Sequence, residues 1–255
     1  MDVGRAFQYI ADDEKWLKKL LIGMVVSLIP ILSFAAFGYV VQVTQNVAAG
    51  MERPLPDWNR LGRYLKNGLR VVLVLFIYAL PIVLFMFCSF MIIIISVAVS
   101  PDGEPPPALM VVFPLMMLCL LPFSLLVGLM FPAVFIQVAR RESLLACLQP
   151  REMWQMMTAK LDSYILIIAL YFGLNMLAGF ITMPFSFTFM FLPTIGGTSS
   201  GIPDWFLGVE VLLLWGGIMT VSVLARFLVF LVVAHLEGQY IRQIDGTSED
   251  VMRDA

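Results

Sequence analysis

Four long stretches of the chain, residues 20–51, 71–101, 105–139 and 163–203, contain no Asp, Glu, Lys or Arg. Each exceeds the roughly 20 apolar residues that carry a helix across a bilayer. A fifth stretch, residues 205–234, is interrupted only by Glu210 and Arg226. Hydrophobic residues make up 60% of the chain and charged ones 13%, whereas soluble domains average about 45–50% and about 25%. A water-soluble fold cannot hide so much apolar surface.

The five blocks are expected to be helical, because unpaired backbone N–H and C=O groups are too costly in hydrocarbon. They are continuously apolar and lack the in-out alternation of barrel strands. The expected class is therefore an all-α, polytopic integral membrane protein, with residues 1–255 forming one membrane domain. Asp12, Asp13 and Glu14 ahead of the first block make a poor signal-peptide n-region, so this block is expected to stay in the protein. Cys88, Cys119 and Cys147 offer neither a disulfide framework nor a metal spacing. The net charge of −2 gives no reason to expect a nucleic-acid partner.

All 16 Lys and Arg fall in four places. These are the N-terminal segment (Arg5, Lys15, Lys18, Lys19), the first connection (Arg53, Arg60, Arg63, Lys66, Arg70), the third connection (Arg140, Arg141, Arg151, Lys160) and the C-terminal end (Arg226, Arg242, Arg253). The second and fourth connections carry only acids, Asp102, Glu104 and Asp204. Short loops rich in Lys and Arg stay cytoplasmic. The basic segments and the C-terminus are therefore expected in the cytoplasm, and the acidic loops outside. Both flanks of the first block are basic, so a single crossing would put one on the wrong side. A short hairpin broken near Pro30, which cannot donate an interior helix hydrogen bond, resolves the conflict and predicts six membrane helices. The rival is a single helix with the N-terminus outside.

Two basic connections carry amphipathic stretches. In residues 56–70, Trp58, Leu61, Leu65 and Leu69 recur at helical spacing, with Arg60, Arg63, Lys66 and Arg70 on other faces. In residues 150–163 the pattern returns as Trp154, Met157 and Leu161 beside Lys160. Helices of this kind lie in the membrane interface. Trp58, Arg60, Arg63, Lys66, Arg70, Trp154 and Lys160 are thus the expected contacts with the membrane surface or a partner. Val3, Phe7 and Ile10 suggest a weaker third copy, and pseudo-repeats would start near residues 3, 56 and 150. Seven prolines interrupt the apolar blocks and are read as kinks in membrane helices.

Catalytic chemistry is hard to find. Glu210 and Arg226, the charges within the fifth block, can snorkel to opposite interfaces. Gly197-Thr198-Ser199-Ser200-Gly201 matches a nucleophile elbow in letters only, since that motif needs a strand-to-helix turn. The single histidine, His235, is expected at the opposite face from Ser199. No metal set, P-loop or dinucleotide fingerprint is present, so neither a cofactor nor an enzymatic role is expected.

Asp13 to Trp16, Lys18-Lys19-Leu20-Leu21-Ile22-Gly23, Pro30-Ile31-Leu32, Gly38-Tyr39, Asn46 to Gly50 and Leu55-Pro56-Asp57-Trp58 follow one another in an order that resembles a prokaryotic membrane-protein family, domain of unknown function 4013. The resemblance is densest over the first 80 or so residues. It implies a multi-pass protein of a prokaryotic cell membrane and brings no activity with it. The expected role is that of a non-enzymatic partner-binding or scaffold protein, its partners being the lipid bilayer and a membrane or cytoplasmic protein. A small transporter or lipid-handling protein is the alternative.

Overall fold

A computed structural model describes residues 1–100, 107–141, 143–196 and 204–253, with side chains left undescribed at 107–110, 112, 184–196, 204–212, 214 and 247–253. The Asp102/Glu104 loop, residues 197–203 with the Ser199 motif, and the Glu210 side chain therefore lie outside the described residues, while the backbone of 194–196, expected as loop, continues α8. The described residues are almost entirely helical and contain no strand. In order they form α1 (Val3–Ala11), α2 (Trp16–Leu28), α3 (Ser33–Ala48), a 3-10 turn (Trp58–Arg60), α4 (Leu61–Val99), α5 (Pro107–Arg140), α6 (Leu144–Cys147), α7 (Pro150–Ala159), α8 (Leu161–Gly196) and α9 (Asp204–Arg253).

Local chemistry sets the breaks. Ile29, just before Pro30, is driven out of the helical region to φ −93°, ψ 118°, as expected when a proline ring crowds its predecessor. The first apolar block therefore becomes two helices, α2 and α3. Ser33 restarts the chain with its hydroxyl on the Pro30 carbonyl. At the other end of α3, Gly50 takes φ 77°, and the bonds Gly50 N–H to Val47 O and Met51 N–H to Asn46 O close a Schellman cap. By contrast, α4 runs unbroken through Pro81, and α5 through Pro114, Pro122 and Pro132.

Among the described residues four helices are long and apolar enough to cross a membrane: Trp58–Val99, Phe113–Arg140, Leu161–Met183 and Trp215–Gly246. The hairpin arms α2 and α3 have 13 and 16 residues, about 20 and 24 Å at 1.5 Å per residue, short of the roughly 30 Å hydrocarbon core.

The end holding residues 49–60 and 140–160 is called proximal here, and the other distal. Burial is concentrated proximally. There α3 packs against α2, α4, α5 and α9, burying Ala35, Tyr39, Val41, Val43 and Val47. In α9 every residue of 231–238 is buried, because α1, α2, α3, α5 and α8 all pack on this helix. Distally the apolar side chains are largely exposed, with Phe87 and Phe90 of α4, Leu118 and Leu121 of α5 and Phe180 of α8 all near 60%.

Candidate functional site

The proximal layer is assembled around Lys19. Its ammonium lies 2.8 Å from the Asp13 carboxylate, donates to the Leu55 carbonyl at 2.8 Å and sits 3.3 Å from Asp57. The Lys19 backbone carbonyl accepts the Trp58 indole N–H at 2.9 Å. That indole stacks on Tyr39 with centroids 4.3 Å apart and rings 8° from parallel. Tyr39 donates to the Pro56 carbonyl, Tyr64 to the Asp57 carbonyl and the Asn46 amide to the Pro54 carbonyl. Residues 54–58 are thereby clamped to α2, α3 and α4. Burial pushes the Asp13 carboxyl up, but the Lys19 hydrogen bond, the Lys15 N–H and the Lys19 and Arg53 charges outweigh it and hold the group below its usual value.

Several of the residues that carry the family resemblance, Asp13, Lys19, Tyr39, Asn46 and residues 55–58, meet in this clamp. Gly38 contributes by closeness. A Cβ there would overlap the Tyr64 carbonyl oxygen, and one at Gly68 would overlap that of Phe34. Helices α3 and α4 thus cross with their backbones almost touching, as small residues allow.

The residues expected to contact a membrane surface or a partner do not form one patch. Trp58 is half-buried inside the clamp, while Arg60 at the end of the 3-10 turn and Arg63 and Lys66 on the first turns of α4 are exposed and Arg70 is half-buried. Trp154 is 62% exposed on α7, with half-buried Lys160 at the α7–α8 junction. Helix α7 packs on α5 and α8, whereas α4 packs on α3, α5 and α6, so α5 stands between the two groups. The apolar spacing did not mark the covered faces, for of its residues Trp58, Leu65 and Met157 are half-buried against the core. Leu61, Leu69, Trp154 and Leu161 are exposed, and the inner faces are Tyr64 with Gly68 and Met153 with Met156.

Sequence reasoning missed the buried polar groups of α9. Glu237 is 2% exposed, with its carboxyl 3.2 Å from the Thr44 hydroxyl, and among the described residues no Lys or Arg pairs with it within 4.0 Å. His235 stacks on Tyr9 at 4.6 Å and meets the Gln239 amide at 3.0 Å. Tyr9 donates to the Leu231 carbonyl and Gln239 bonds the Asp2 backbone, which ties α1 to α9. His235 also lines an open cavity of about 620 Å³ rimmed by Arg5, Arg242, Asp2 and Glu52. The available signal was the apolar spacing Val233, Leu236, Tyr240, which continues the helical face past Ala234. No cluster of three His, Cys, Asp or Glu side chains that could hold a metal occurs among the described residues.

A second cavity, of about 380 Å³, lies between the hairpin turn and the long helices. It is lined by Ser27 and Ser33 beside the turn, Tyr171 and Asn175 of α8, and Arg226 of α9, over a wall of Phe37, Phe131, Phe227 and Phe230.

These features define an all-helical protein with four helices long and apolar enough to cross a membrane, standing on a closely packed proximal layer. The chain belongs to the family described as protein of unknown function (DUF4013), whose model matches residues 21–187, about two thirds of its length. The match starts just beyond Asp13 to Leu20 and runs well past the region where the resemblance is densest. Neither a curated protein nor a solved structure matches the chain.

Proposed function

We propose that the protein is a non-enzymatic, multi-pass protein of a prokaryotic cell membrane that holds a partner at its cytoplasmic face. In this reading the four long helices cross the bilayer, the α2–α3 hairpin dips into the cytoplasmic leaflet without crossing, and the proximal layer is the docking platform. The supporting observation is the contrast along the molecular axis. The distal halves expose bulky apolar side chains that need hydrocarbon around them, while the proximal layer is packed and carries the exposed cations Arg60, Arg63 and Lys66. Those three, on the 3-10 turn and the first turns of α4, are the docking face we assign.

The test is co-purification from the native membrane in mild detergent. Removing residues 56–67 would destroy the clamp, so the informative variant is Arg60→Glu/Arg63→Glu/Lys66→Glu. A stoichiometric partner that is lost in this variant, with unchanged thermal stability, is the expected result. Wild-type protein that never brings a partner with it would sink the scaffold reading. The cavity beside Arg226 favours a second reading, lipid handling, because it places a cation and amide donors against an aromatic wall within the proposed membrane region.

A further inference from the structure

The cavity at the hairpin turn combines a cation with a lining that contains no acid. The larger proximal cavity differs in this respect, since Asp2 and Glu52 stand beside its Arg5 and Arg242. Arg226 is exposed at the cavity's edge and has no ion-pair partner among the described residues, and in the proposed membrane setting its guanidinium faces lipid, where anionic or hydrogen-bonding partners stabilise it. Two further donors come from α8. Tyr171 and Asn175 are four residues apart and so share one helix face. Asn175 uses one amide hydrogen on the Tyr171 carbonyl at 2.8 Å, leaving its second N–H for another acceptor. The hydroxyls of Ser27 and Ser33 are spent on the Gly23 and Pro30 carbonyls. A guanidinium, a phenol and an amide therefore line one cavity whose remaining wall is largely apolar, with Phe37, Phe131, Phe227 and Phe230 beside Ala36, Val40 and Val223.

Depth fixes the kind of anion. Phe227, next to Arg226, packs on Gly23, one helical turn beyond Lys19 in α2. Arg226 therefore lies one to two helical turns distal of the clamp lysine, about 6–12 Å along the axis, and if the clamp stands at the headgroup layer its long side chain can snorkel toward it. The turn beside the cavity exposes Leu28, Ile29 and Ile31, the last at 71%, so the approach is apolar. An occupant must bring an anionic head and an apolar body by the same route. We propose that this cavity binds one anionic phospholipid of the cytoplasmic leaflet, its phosphate on Arg226, Tyr171 and Asn175 and its glycerol and upper acyl carbons against Phe37, Phe131 and Phe230. The proposal rests on the membrane reading but is independent of the docking role assigned to α4.

The experiment reconstitutes the full chain in vesicles of phosphatidylglycerol and phosphatidylcholine in equal amounts, re-extracts it in mild detergent and counts retained lipids by native mass spectrometry. One phosphatidylglycerol per chain is expected to be retained in preference to phosphatidylcholine. Arg226→Gln should lower that preference roughly tenfold or more, as loss of a charge-assisted contact implies. Arg226→Lys should keep much of it, and Arg151→Gln, an exposed cation outside the cavity, should leave it unchanged. Asn175→Leu and Tyr171→Phe should each weaken it, and they decide the matter if Arg226→Gln does not fold. Equal retention in Arg226→Gln, equal loss in Arg151→Gln, or displacement of the lipid by inorganic phosphate alone would overturn the assignment. Resistance of the protein to alkaline extraction from the vesicles reports insertion separately. A chain that fails to insert refutes the membrane reading, and one that inserts but keeps no phosphatidylglycerol refutes the site.

Discussion

The crossing of α3 and α4 gives the sharpest stability prediction. In Gly38→Ala the new methyl would overlap the Tyr64 carbonyl oxygen and lie 2.8 Å from the Gly68 nitrogen. These are backbone atoms and cannot swing aside, so the helices must separate by more than an ångström. Separation loosens the stack of Tyr39 on Trp58 and the burial of Val71 and Val74. Overpacking of a close-fitted core costs about 1–3 kcal/mol, and a backbone clash belongs at the upper end. At about 2–4 °C per kcal/mol for a chain near this size, the midpoint of unfolding should fall by roughly 6–12 °C. Gly68→Ala should behave alike, since its Cβ would overlap the Phe34 carbonyl. Gly62→Ala is the internal control. It lies on the same helix with nothing within 4 Å of its Cβ, so only the backbone entropy of glycine is removed, and the gain should be about 0.5–1 kcal/mol. Thermal unfolding of the three variants in one detergent measures all of this. A Gly38→Ala protein as stable as wild type, or a Gly62→Ala protein that loses as much as Gly38→Ala, would refute the close crossing.

Trp58→Ala should cost about 3 kcal/mol, the low end for truncating a large aromatic side chain, because the residue is only half-buried. Trp58→Phe keeps the stack and loses the bond to the Lys19 carbonyl, costing about 1 kcal/mol; paired denaturation curves check the order. The lowered Asp13 value means that the folded protein holds this carboxylate more tightly ionised than the unfolded chain does. Its contribution is therefore present above the ordinary value of 3.8 and is lost as pH falls through the lower folded value. Asp13→Asn should flatten that acid limb of the stability profile, and a limb of unchanged steepness would remove Asp13 from the clamp. Glu237→Gln preserves shape and the hydrogen bond with Thr44, so its unfolding midpoint should stay near wild type, while Glu237→Ala opens a void and should cost about 2–4 kcal/mol. Equal losses in both would mean that the side chain does more than fill and bond.

The helical class was legible because 60% hydrophobic content concentrated in charge-free runs leaves few alternatives. The break at Pro30 was legible too, since proline acts on its own neighbour and needs no tertiary context. The inward role of Trp58 was not. A Trp followed by Leu61, Leu65 and Leu69 reads as one apolar face, and only the arrival of Tyr39 and the Lys19 carbonyl from elsewhere in the chain turns the indole inward. The same blindness hid Met153 and Met156, because a helix with two apolar faces shows its periodicity without saying which face is covered. Glu237 was lost for a different reason. A charge three residues beyond an apolar run looks like the edge of a span, and its burial depends on α3 supplying Thr44. The Arg226 cavity is assembled from α2, α3, α5, α8 and α9, and no local window of sequence contains it.

The hairpin ties the clamp, the cavity and the charge pattern together. Its arms are too short to span, yet their first and last residues return to the same end, where Lys19 of α2 and Asn46 of α3 both hold residues 54–58. In the proposed reading, the conflict between a basic N-terminal segment and a basic first connection therefore disappears without a crossing. The price of such a loop is an exposed apolar turn, Ile29 to Ile31, which only an apolar surrounding stabilises. In the proposed orientation a cysteine introduced at Gly4, outside the packed core, should stay unlabelled by a membrane-impermeant maleimide in intact cells and react once the cells are opened. Labelling in intact cells would place the N-terminus outside and require α2–α3 to cross after all. Since the arms cannot do so at their present lengths, that result would also demand that the helices rejoin through Pro30, breaking the α3–α4 contact at Gly38. The labelling and Gly38→Ala experiments therefore test one geometry from two independent sides.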